Sequence, residues 1–256
     1  MLYEEERKLK IVAYLQEHVR VSVQELCKMF QVSESTVRRD LQELEDVNLL
    51  KRTHGGAVCL ENVNFEPSFI DKGDHFRKEK ESIARKAAEF IQDGDTIVID
   101  SGTTTLYLAK EIKRFSNLQV VTNSIILGQE LQGTKGIEVV ITGGTVRQNT
   151  LAIVGPIAEQ SLSMLRVDKA FIATNGLDMK EGLTTPNVLE AATKAKMIGI
   201  AKQVILLADH TKIGKVSFAK FADLSKVDIC IVDDQVSADV VAKMQESGIC
   251  VYVVNP

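Results

Sequence analysis

The stretch that most constrains the fold of this chain is residues 32–56, VSESTVRRDLQELEDVNLLKRTHGG. Its apolar residues Val37, Leu41 and Leu44 recur at helical spacing, which predicts a helix with one buried face. Ser33 precedes this helix and is a residue type that caps helix amino termini. Basic residues and a pair of glycines follow, as in a short hairpin. The pattern predicts a helix-turn-helix unit that ends in a two-stranded wing.

The face of this helix opposite the apolar stripe carries hydroxyl, amide and guanidinium groups near its amino end. A helix that enters the major groove of DNA presents its first residues to the base edges. Arginine binds guanine through two hydrogen bonds, and serine or threonine binds bases or phosphates. Basic residues of the wing are placed to meet phosphates or the minor groove. The predicted DNA-contacting residues are Ser33, Ser35, Thr36, Arg38, Arg39, Gln42, Lys51, Arg52 and His54.

The alternative for this stretch is a solvated amphipathic helix with a loose basic tail. Two helices predicted upstream agree better with a DNA-binding head, and Ser22 is a suitable N-cap for the second of them. Their apolar positions are Leu9, Val12, Ala13 and Leu15 in the first helix and Val23, Leu26, Met29 and Phe30 in the second. The acidic residues of the third helix are Asp40, Glu43, Glu45 and Asp46, which lie mostly where we expect it to leave the groove.

The charge of this head is nearly balanced. Residues 1–60 contain 9 lysine and arginine residues against 10 aspartate and glutamate residues, and the whole chain has a formal net charge of −4. DNA affinity must therefore come from local clustering of basic side chains. A single head would bind weakly, which favours a homodimer or homotetramer that engages paired half-sites of double-stranded DNA.

From Arg77 onward, helical patterns alternate with short apolar runs. This alternation predicts an α/β domain with a largely parallel sheet. We expect a winged helix-turn-helix domain at 1–58, a linker at 59–76 and the α/β domain at 77–256. The predicted strands are Thr96–Ile99, Gln119–Thr122, Ile137–Thr142, Ala170–Ala173, Val204–Ala208, Asp228–Val232 and Cys250–Val254.

The run DSGTTT links a predicted strand to a helix, and ligands of parallel sheets bind where the strands end. Its glycine permits a tight turn, and the helix amides and threonine hydroxyls suit a phosphate group. It is not a Walker loop, because no Gly-Lys-Ser/Thr follows. An ordinary helix cap is the alternative. The residues of the run are Asp100, Ser101, Gly102, Thr103, Thr104 and Thr105.

Further polar groups lie near the ends of other predicted strands, and each has a structural alternative. Asn123 and Ser124 either bind hydroxyl groups of a sugar or cap the next helix. Gly143 and Gly144 either let a ligand approach the backbone or form a turn. The remaining candidates are Asp209 and the cations Arg147, Lys212 and Lys215, each of which has an ordinary interpretation as a solvated side chain.

The run SESTVRRDLQELEDVNLLKRTHGGAV closely resembles the winged helix-turn-helix signature of DeoR-type bacterial transcriptional repressors. The likeness continues through ESIARKAAEFIQDGDTIVIDSGTTTLYLA, VVTNS, ITGG and ADHTKIGK. The resemblance implies the α/β fold shared by ribose-5-phosphate isomerase and glucosamine-6-phosphate deaminase, and a phosphorylated sugar as effector. It favours Lys212, with Lys215 second, for the phosphate. It also places Glu190 and Lys194 beside the pocket, although their spacing suits an exposed pair.

The related isomerases use an acidic residue in an Asp-Gly-Ala-Asp motif as general base. The corresponding run here contains Ala173, Thr174 and Asn175. An amide cannot take a proton as a carboxylate can, so Asn175 favours binding without turnover. Asp100, Asp178 and Asp209 remain as acidic groups, so a sugar-phosphate isomerase or deaminase that carries a DNA-binding head is the alternative. A third hypothesis is an oligomeric architectural DNA binder that holds no ligand.

Other functional classes receive no support. The histidines do not cluster with cysteines or carboxylates at ligand spacing, so we expect no metal and no cofactor. The cysteines Cys27, Cys59, Cys230 and Cys250 are widely spaced, which predicts buried free thiols. No signal peptide and no apolar run long enough for a bilayer is found, so we expect a cytoplasmic protein without a membrane partner. The primary hypothesis is a repressor of a sugar-metabolism operon that a phosphorylated sugar releases from its operator.

Overall fold

The computed structural model describes residues 3–18, 20–47, 49–53, 55–59 and 75–256. The chain divides into two compact units, residues 1–65 and 66–256. His54 and most of the predicted linker lie outside the described residues, as do the side chains at 16, 17, 58 and 59.

The first unit is a winged helix-turn-helix. A three-stranded antiparallel sheet in the order β1-β3-β2 includes the predicted wing, β2 and β3. The strand β1 was not expected, because three residues are too few to show a period. The elements are α1 Glu4–His18, β1 Arg20–Ser22, α2 Val23–Phe30, α3 Glu34–Asp46, β2 Leu50–Thr53 and β3 Gly56–Cys59.

Local signals set the helix boundaries of this unit. The Ser22 hydroxyl accepts from the Glu25 amide at 3.2 Å while the Glu25 carboxylate accepts from the Ser22 amide at 2.7 Å, which is a capping box. Ser33 caps α3 as predicted. The apolar spacing predicted both upstream helices, although two of the residues that carry it, Leu9 and Met29, are 56% and 44% exposed. The residues of this core that have no exposed surface include Ile11, Leu26, Val37 and Leu50.

The second unit is the predicted α/β domain. Its helices are α4 Arg77–Ala88, α5 Thr103–Glu111, α6 Ile125–Leu131, α7 Pro156–Ser163, α8 Val188–Ile200 and α9 Ala238–Glu246. Its strands are β4 Thr96–Ile99, β5 Leu118–Thr122, β6 Ile137–Ile141, β7 Thr145–Val146, β8 Ile153–Val154, β9 Val167–Ala173, β10 Gly176–Asp178, β11 Gly182–Thr185, β12 Ala201–Leu207, β13 Ala219–Ala222, β14 Ile229–Asp233 and β15 Cys250–Val254.

Seven of these strands form one parallel sheet in the order β15-β14-β12-β9-β4-β5-β6. Successive side chains of a strand point to opposite faces, so this sheet has two cores. Ile97 and Ile99 pack with α4, α5 and α6, whereas Val98 packs on the opposite face with Met197 of α8. The predicted largely parallel sheet is confirmed. The predicted bounds of β4 and β15 match those observed, and those of the other five strands differ by one to three residues at an end.

Five short strands were not predicted. The strands β10, β11 and β13 form a separate antiparallel sheet, and β7 pairs with β8. The prediction of a buried thiol is confirmed for Cys230 and wrong for Cys250, which is exposed on the edge strand β15; Cys27 is half-buried. An edge strand lacks a neighbour on one side, and the apolar pattern of its sequence does not reveal this position.

Candidate DNA-binding surface and strand-end site

The exposed face of α3 is the candidate DNA-binding surface. Ser35, Arg38, Arg39 and Gln42 are exposed, and Thr36 is half-buried. The Ser33 hydroxyl lies 2.8 Å from the Ser35 hydroxyl and 2.9 Å from the Thr36 hydroxyl. The first turn of the helix therefore presents a cluster of hydroxyl groups beside the backbone amides of Glu34 and Ser35, which the Ser33 cap does not bind, and this combination suits phosphates or base edges.

The basic side chains of this unit differ in whether they already bind other residues of the protein. The side chains of Arg39 and Lys51 are exposed and bond to no residue that the structure describes, so both are available to DNA. Arg38 lies 3.4 Å from the exposed Glu34 carboxylate, a contact of little strength. Arg52 donates to the side chain of Gln42 through its guanidinium and to the Glu45 carboxylate through its amide. The predicted DNA contacts Arg52 and Gln42 thus also hold the wing against α3.

A buried ion pair fixes α3 to α1. The Asp40 carboxylate receives both Nε and a terminal nitrogen of Arg7, at 2.5 and 2.9 Å. Asp40 is 1% exposed and so differs from Asp46, the exposed acidic residue at the end of the same helix. The sequence could not reveal this pairing, because Arg7 is 33 residues away. The two-pronged geometry orients the whole recognition helix.

In the second unit, the carboxyl ends of five adjacent strands bring polar residues to one edge of the sheet, and the predicted effector-binding residues Asp209, Asp100 and Asn123 are among them. Asp209 follows β12, Thr174 follows β9, Asp100 follows β4, Asn123 follows β5 and Thr142 follows β6. Because adjacent strands are about 4.8 Å apart, the ends of β12 and β4 are separated by roughly 10 Å.

The centre of this edge is a buried ion pair between Asp100 and Lys194. Asp100 is fully buried, and its Oδ2 accepts from the Lys194 ammonium and, at 3.1 Å, from the Ala173 amide. Lys194 is 4% exposed and also donates to the Ala173 carbonyl at 3.0 Å. Burial raises the pKa of Asp100, while the Lys194 charge and hydrogen bond oppose that rise. The pair joins the end of β4 to α8.

A second set of buried polar contacts is centred on Glu190, which is 4% exposed. Its Oε1 lies 2.6 Å from an Arg147 nitrogen and accepts from Thr150 at 2.6 Å, while its Oε2 accepts from Thr185 at 3.1 Å. Burial alone would raise the pKa of Glu190, but Lys194, Thr150 and Arg147 together lower it. The expectations of an exposed Glu190–Lys194 pair and of a solvated Arg147 are therefore wrong.

The DSGTTT loop leads into α5 at the same edge. The Thr105 hydroxyl donates to the Gly102 carbonyl at 3.0 Å, as in an ordinary helix start. The Thr103 and Thr104 hydroxyls form no hydrogen bond with a described residue. The first amides of α5 have no intrahelical partner either. The loop thus combines a structural cap with uncommitted donors, and those donors suit an anion.

Several other candidates serve the protein itself. Asn123 accepts from the Ser101 amide at 3.0 Å and donates to the Ile153 carbonyl at 3.2 Å. The Ser124 hydroxyl caps α6 by accepting from the Leu127 amide, which is the structural alternative stated above. Asn175 accepts from the Thr185 hydroxyl at 3.1 Å.

Gly143 and Gly144 form the turn between β6 and β7. Gly144 has a φ of +136°, and a side chain there would meet the Val154 carbonyl at 2.7 Å. A Gly143 side chain would meet Ile157 at 3.1 Å. Close packing within the protein therefore explains both glycines.

The segment after β12 carries the remaining candidate cations. The Asp209 carboxylate accepts from the Thr211 amide at 3.1 Å and lies 3.6 Å from the Lys212 ammonium. Burial alone would raise the pKa of Asp209, but Lys212, Thr211 and Lys80 together lower it. Lys212 is half-buried beside the strand end, whereas Lys215 is exposed.

Sequence reasoning missed four residues of this edge. The hydroxyls of Thr150 and Thr185 donate to Glu190. The charge of the buried Lys80 lowers the pKa of Asp209, and Thr142 is buried at the end of β6. A lone threonine or lysine carries no recognisable signal, and only the position of Thr142 at a strand end was visible. No group of three metal-ligating side chains occurs among the described residues. Within the same residues, no helix has the length and apolar character needed to cross a bilayer.

A winged helix-turn-helix joined to an α/β domain with polar groups at its strand ends defines a DNA-binding regulator with a sensor domain. Comparison with known protein families identifies the family of regulators. The model of the DeoR-like helix-turn-helix domain matches residues 7–63, and that of the DeoR C terminal sensor domain matches residues 75–234. The chain belongs to the DeoR family of transcriptional regulators, as the sequence motifs predicted. This membership assigns it to the DNA-binding regulators and not to the enzymes.

Relatives match along almost the whole chain. The HTH-type transcriptional regulator GlpR of Haloferax volcanii is 39% identical over 96% of this chain and 96% of its own length. The HTH-type transcriptional repressor GlcR of Bacillus subtilis is 37% identical over 91% of this chain and 89% of its own. The putative aga operon transcriptional repressor of Escherichia coli O157:H7 is 32% identical over 98% of this chain and 94% of its own.

Solved structures match more weakly. Ribose 5-phosphate isomerase A of Methanocaldococcus jannaschii superimposes with a TM-score of 0.39 and 16% identity, over 53% of this chain and 54% of that chain. A likeness of this size carries no functional inference.

Proposed function

We propose that this protein represses a sugar-metabolism operon and leaves its operator when a phosphorylated sugar binds the strand ends of the second domain. The observation that carries the proposal is the composition of that edge. The uncommitted Thr103 and Thr104 hydroxyls lie at the start of α5, beside the buried Asp100–Lys194 pair. The phosphate would bind the α5 amides and Lys212, and the sugar hydroxyls would meet Asp100 and its neighbours. Relatives that are named as repressors support the direction of regulation.

Release of DNA requires the effector to bind the DNA-free arrangement more tightly than the DNA-bound one. Residues 1–60 contain 10 acidic and 9 basic residues, so the net charge of one head attracts DNA little. We therefore propose a homodimer or homotetramer in the cytoplasm, whose paired heads engage paired half-sites. The effector would change the spacing of these heads. The mass of the DNA-free protein, measured by light scattering, distinguishes dimer from tetramer, and a monomer would contradict the proposal.

The test is a thermal-shift screen of the full chain against fructose 1-phosphate, tagatose 6-phosphate, glycerol 3-phosphate and glucosamine 6-phosphate, with the unphosphorylated compounds as controls. A compound that binds the native state raises the melting temperature. We expect one phosphate ester to stabilise the wild type and its unphosphorylated form to have no effect. Thr104→Ala and Lys212→Ala should abolish this shift but keep operator binding, whereas Lys202→Ala, a surface control 78% exposed, should keep both. An unaltered shift in both site variants would refute the phosphate site.

A further inference from the structure

Two buried side-chain polar atoms among the described residues have no hydrogen-bond partner, namely Oδ1 of Asp100 and Oγ1 of Thr142. Both lie at carboxyl ends of strands, β4 and β6, on the proposed effector edge. An unsatisfied buried polar atom is destabilising, and more so when it is charged, so native proteins rarely keep one without a use. The coincidence of the two atoms on one edge points to a ligand that satisfies them.

The two oxygens of Asp100 are in different situations. Oδ2 is saturated by the Lys194 ammonium and the Ala173 amide, whereas Oδ1 receives no donor. Burial raises the pKa of Asp100, but the Lys194 ammonium held against Oδ2 opposes that rise and gives the geometry of an ion pair. An ionised carboxylate only accepts hydrogen bonds. Oδ1 therefore requires a donor. The Thr142 hydroxyl can both donate and accept, so it imposes no such polarity.

The charges around Asp100 indicate which kind of donor fits. Lys194 lies against Asp100, and Arg147 lies against Glu190, so the two acidic and two basic groups balance. An incoming cation would add an unbalanced charge next to the Lys194 ammonium. A neutral hydroxyl donates without changing the net charge of the cluster. A keto oxygen or a phosphate oxygen directed at Oδ1 would instead face another acceptor.

We propose that Asp100 Oδ1 accepts a hydrogen bond from a hydroxyl group of the effector, so that Asp100 selects hydroxylated phosphate esters by the polarity of that one contact. The inference rests on the proposed function and adds a specificity residue to it. Lys194 holds Asp100 ionised and oriented. Phosphate binding at α5 and Lys212 would bring the ester to the site, and the Asp100 contact would decide which hydroxyl pattern is accepted.

The test begins with the wild-type chain and needs no protein variant. The tightest binder among fructose 1-phosphate, tagatose 6-phosphate, glycerol 3-phosphate and glucosamine 6-phosphate is titrated by calorimetry. Analogues follow in which one hydroxyl at a time is replaced by hydrogen or by fluorine, which accepts but cannot donate. We expect one position at which both replacements weaken binding by roughly 10- to 100-fold, because a hydrogen bond to a charged group contributes about 1.5–3 kcal/mol. A fluorine that restores binding at every position would overturn the inference.

Two variants assign the effect to Asp100. In Asp100→Asn the amide oxygen keeps the Lys194 ammonium and the Ala173 amide, so the NH2 group, a donor, takes the place of Oδ1, and the fluoro analogue, which accepts, should bind better than the deoxy analogue. Asp233→Asn is the matched control, because Asp233 is equally buried at the end of β14 but both of its oxygens are bound, by His210 and Gln235. It should keep the wild-type preference. If Asp100→Asn is unstable, Asp100→Asn combined with Lys194→Gln removes the unpaired ammonium and serves in its place.

The outcomes separate the two claims. Binding of none of these esters by the wild type would overturn the proposed function and this inference with it. Binding with equal losses for every deoxy analogue, or an unchanged preference in Asp100→Asn, would overturn the inference and leave the proposed function standing.

Discussion

The two domains expose and bury their candidate functional charges in opposite ways. In the head, the side chains of Arg39 and Lys51 are exposed and bond to none of the described residues. In the α/β domain, Asp100, Glu190 and Lys194 are each at most 4% exposed and are tied into ion pairs. An exposed cation costs the fold little, whereas a buried charge must be balanced. Changes in the head should therefore alter DNA affinity, and changes at the strand ends should also alter stability.

The largest expected effect is that of Lys194→Met, which leaves the Asp100 carboxylate buried without its counter-ion. Breaking a buried ion pair costs about 3–5 kcal/mol, so the second domain should unfold at a markedly lower urea concentration. Lys202→Met breaks the solvent-exposed pair with Asp168 and is the control, with a much smaller change. Equal losses of stability in the two variants would contradict the claim that the buried pair stabilises the domain more than the exposed pair.

The head offers an internal exception, because Arg7 and Asp40 form a buried pair. Arg7→Met should destabilise the head by about 3 kcal/mol and weaken operator binding, since α3 loses its attachment to α1. Lys10→Met, which breaks an exposed pair with Glu6, is the control and should leave both properties close to wild type. Normal operator binding by a destabilised Arg7→Met head would show that the ion pair does not orient the recognition helix.

An exposed base-reading residue should alter binding alone. Arg39→Ala should weaken operator binding by about 1–3 kcal/mol, because that is the discrimination of one two-pronged contact to guanine, and should leave thermal stability and the effector response unchanged. Fluorescence anisotropy with the operator measures the first, and a melting curve the second. Unchanged operator affinity would count against α3 as the recognition helix.

Acid should affect the strand-end site in a predictable direction. The pKa of Glu190 is lowered below its usual 4.5, so its ion pair contributes stability that is complete above pH 4.5 and is lost as the pH falls through the lowered pKa. Glu190→Gln should therefore reduce the loss of stability of the second domain below pH 4.5. Glu246→Gln, at an exposed site, is the control. Identical acid profiles for Glu190→Gln and the wild type would contradict the assigned pairing.

The smallest effect belongs to a single phosphate contact. Lys51→Gln should weaken binding to all DNA sequences alike and reduce the slope of log affinity against log salt concentration by about 1. Lys226→Gln, in the second domain, should leave that slope unaltered. A loss of sequence preference in Lys51→Gln would instead make Lys51 a reader of bases.

The fold was predictable where short-range signals decide it. The stripe of Val37, Leu41 and Leu44 and the Ser33 cap act within one helix, and each is where the sequence predicts it. The alternation of helices and apolar runs was enough to predict the parallel sheet. Because ligands of such sheets bind at strand ends, the position of the DSGTTT loop after a strand made it a candidate site.

The pairings of charges were not predictable, because they depend on how distant segments pack. Lys194 is 94 residues from Asp100, and Arg7 is 33 from Asp40. Helical spacing paired Glu190 with Lys194 as an exposed couple, although each is buried against a different partner. A single sequence contains the charges but not the burial that decides which of them must be neutralised.

The most direct test of the central claim measures operator release. The full chain first selects a DNA fragment from a random-sequence pool, and this fragment is labelled with a fluorophore. The fluorescence anisotropy of the protein-bound fragment is then followed while the phosphate ester that raises the melting temperature is added. The account predicts that the ester releases DNA from the wild type at concentrations at which its unphosphorylated form does not, and that Thr104→Ala and Lys212→Ala stay bound. A protein that binds the ester yet holds the operator equally tightly with and without it would contradict the account.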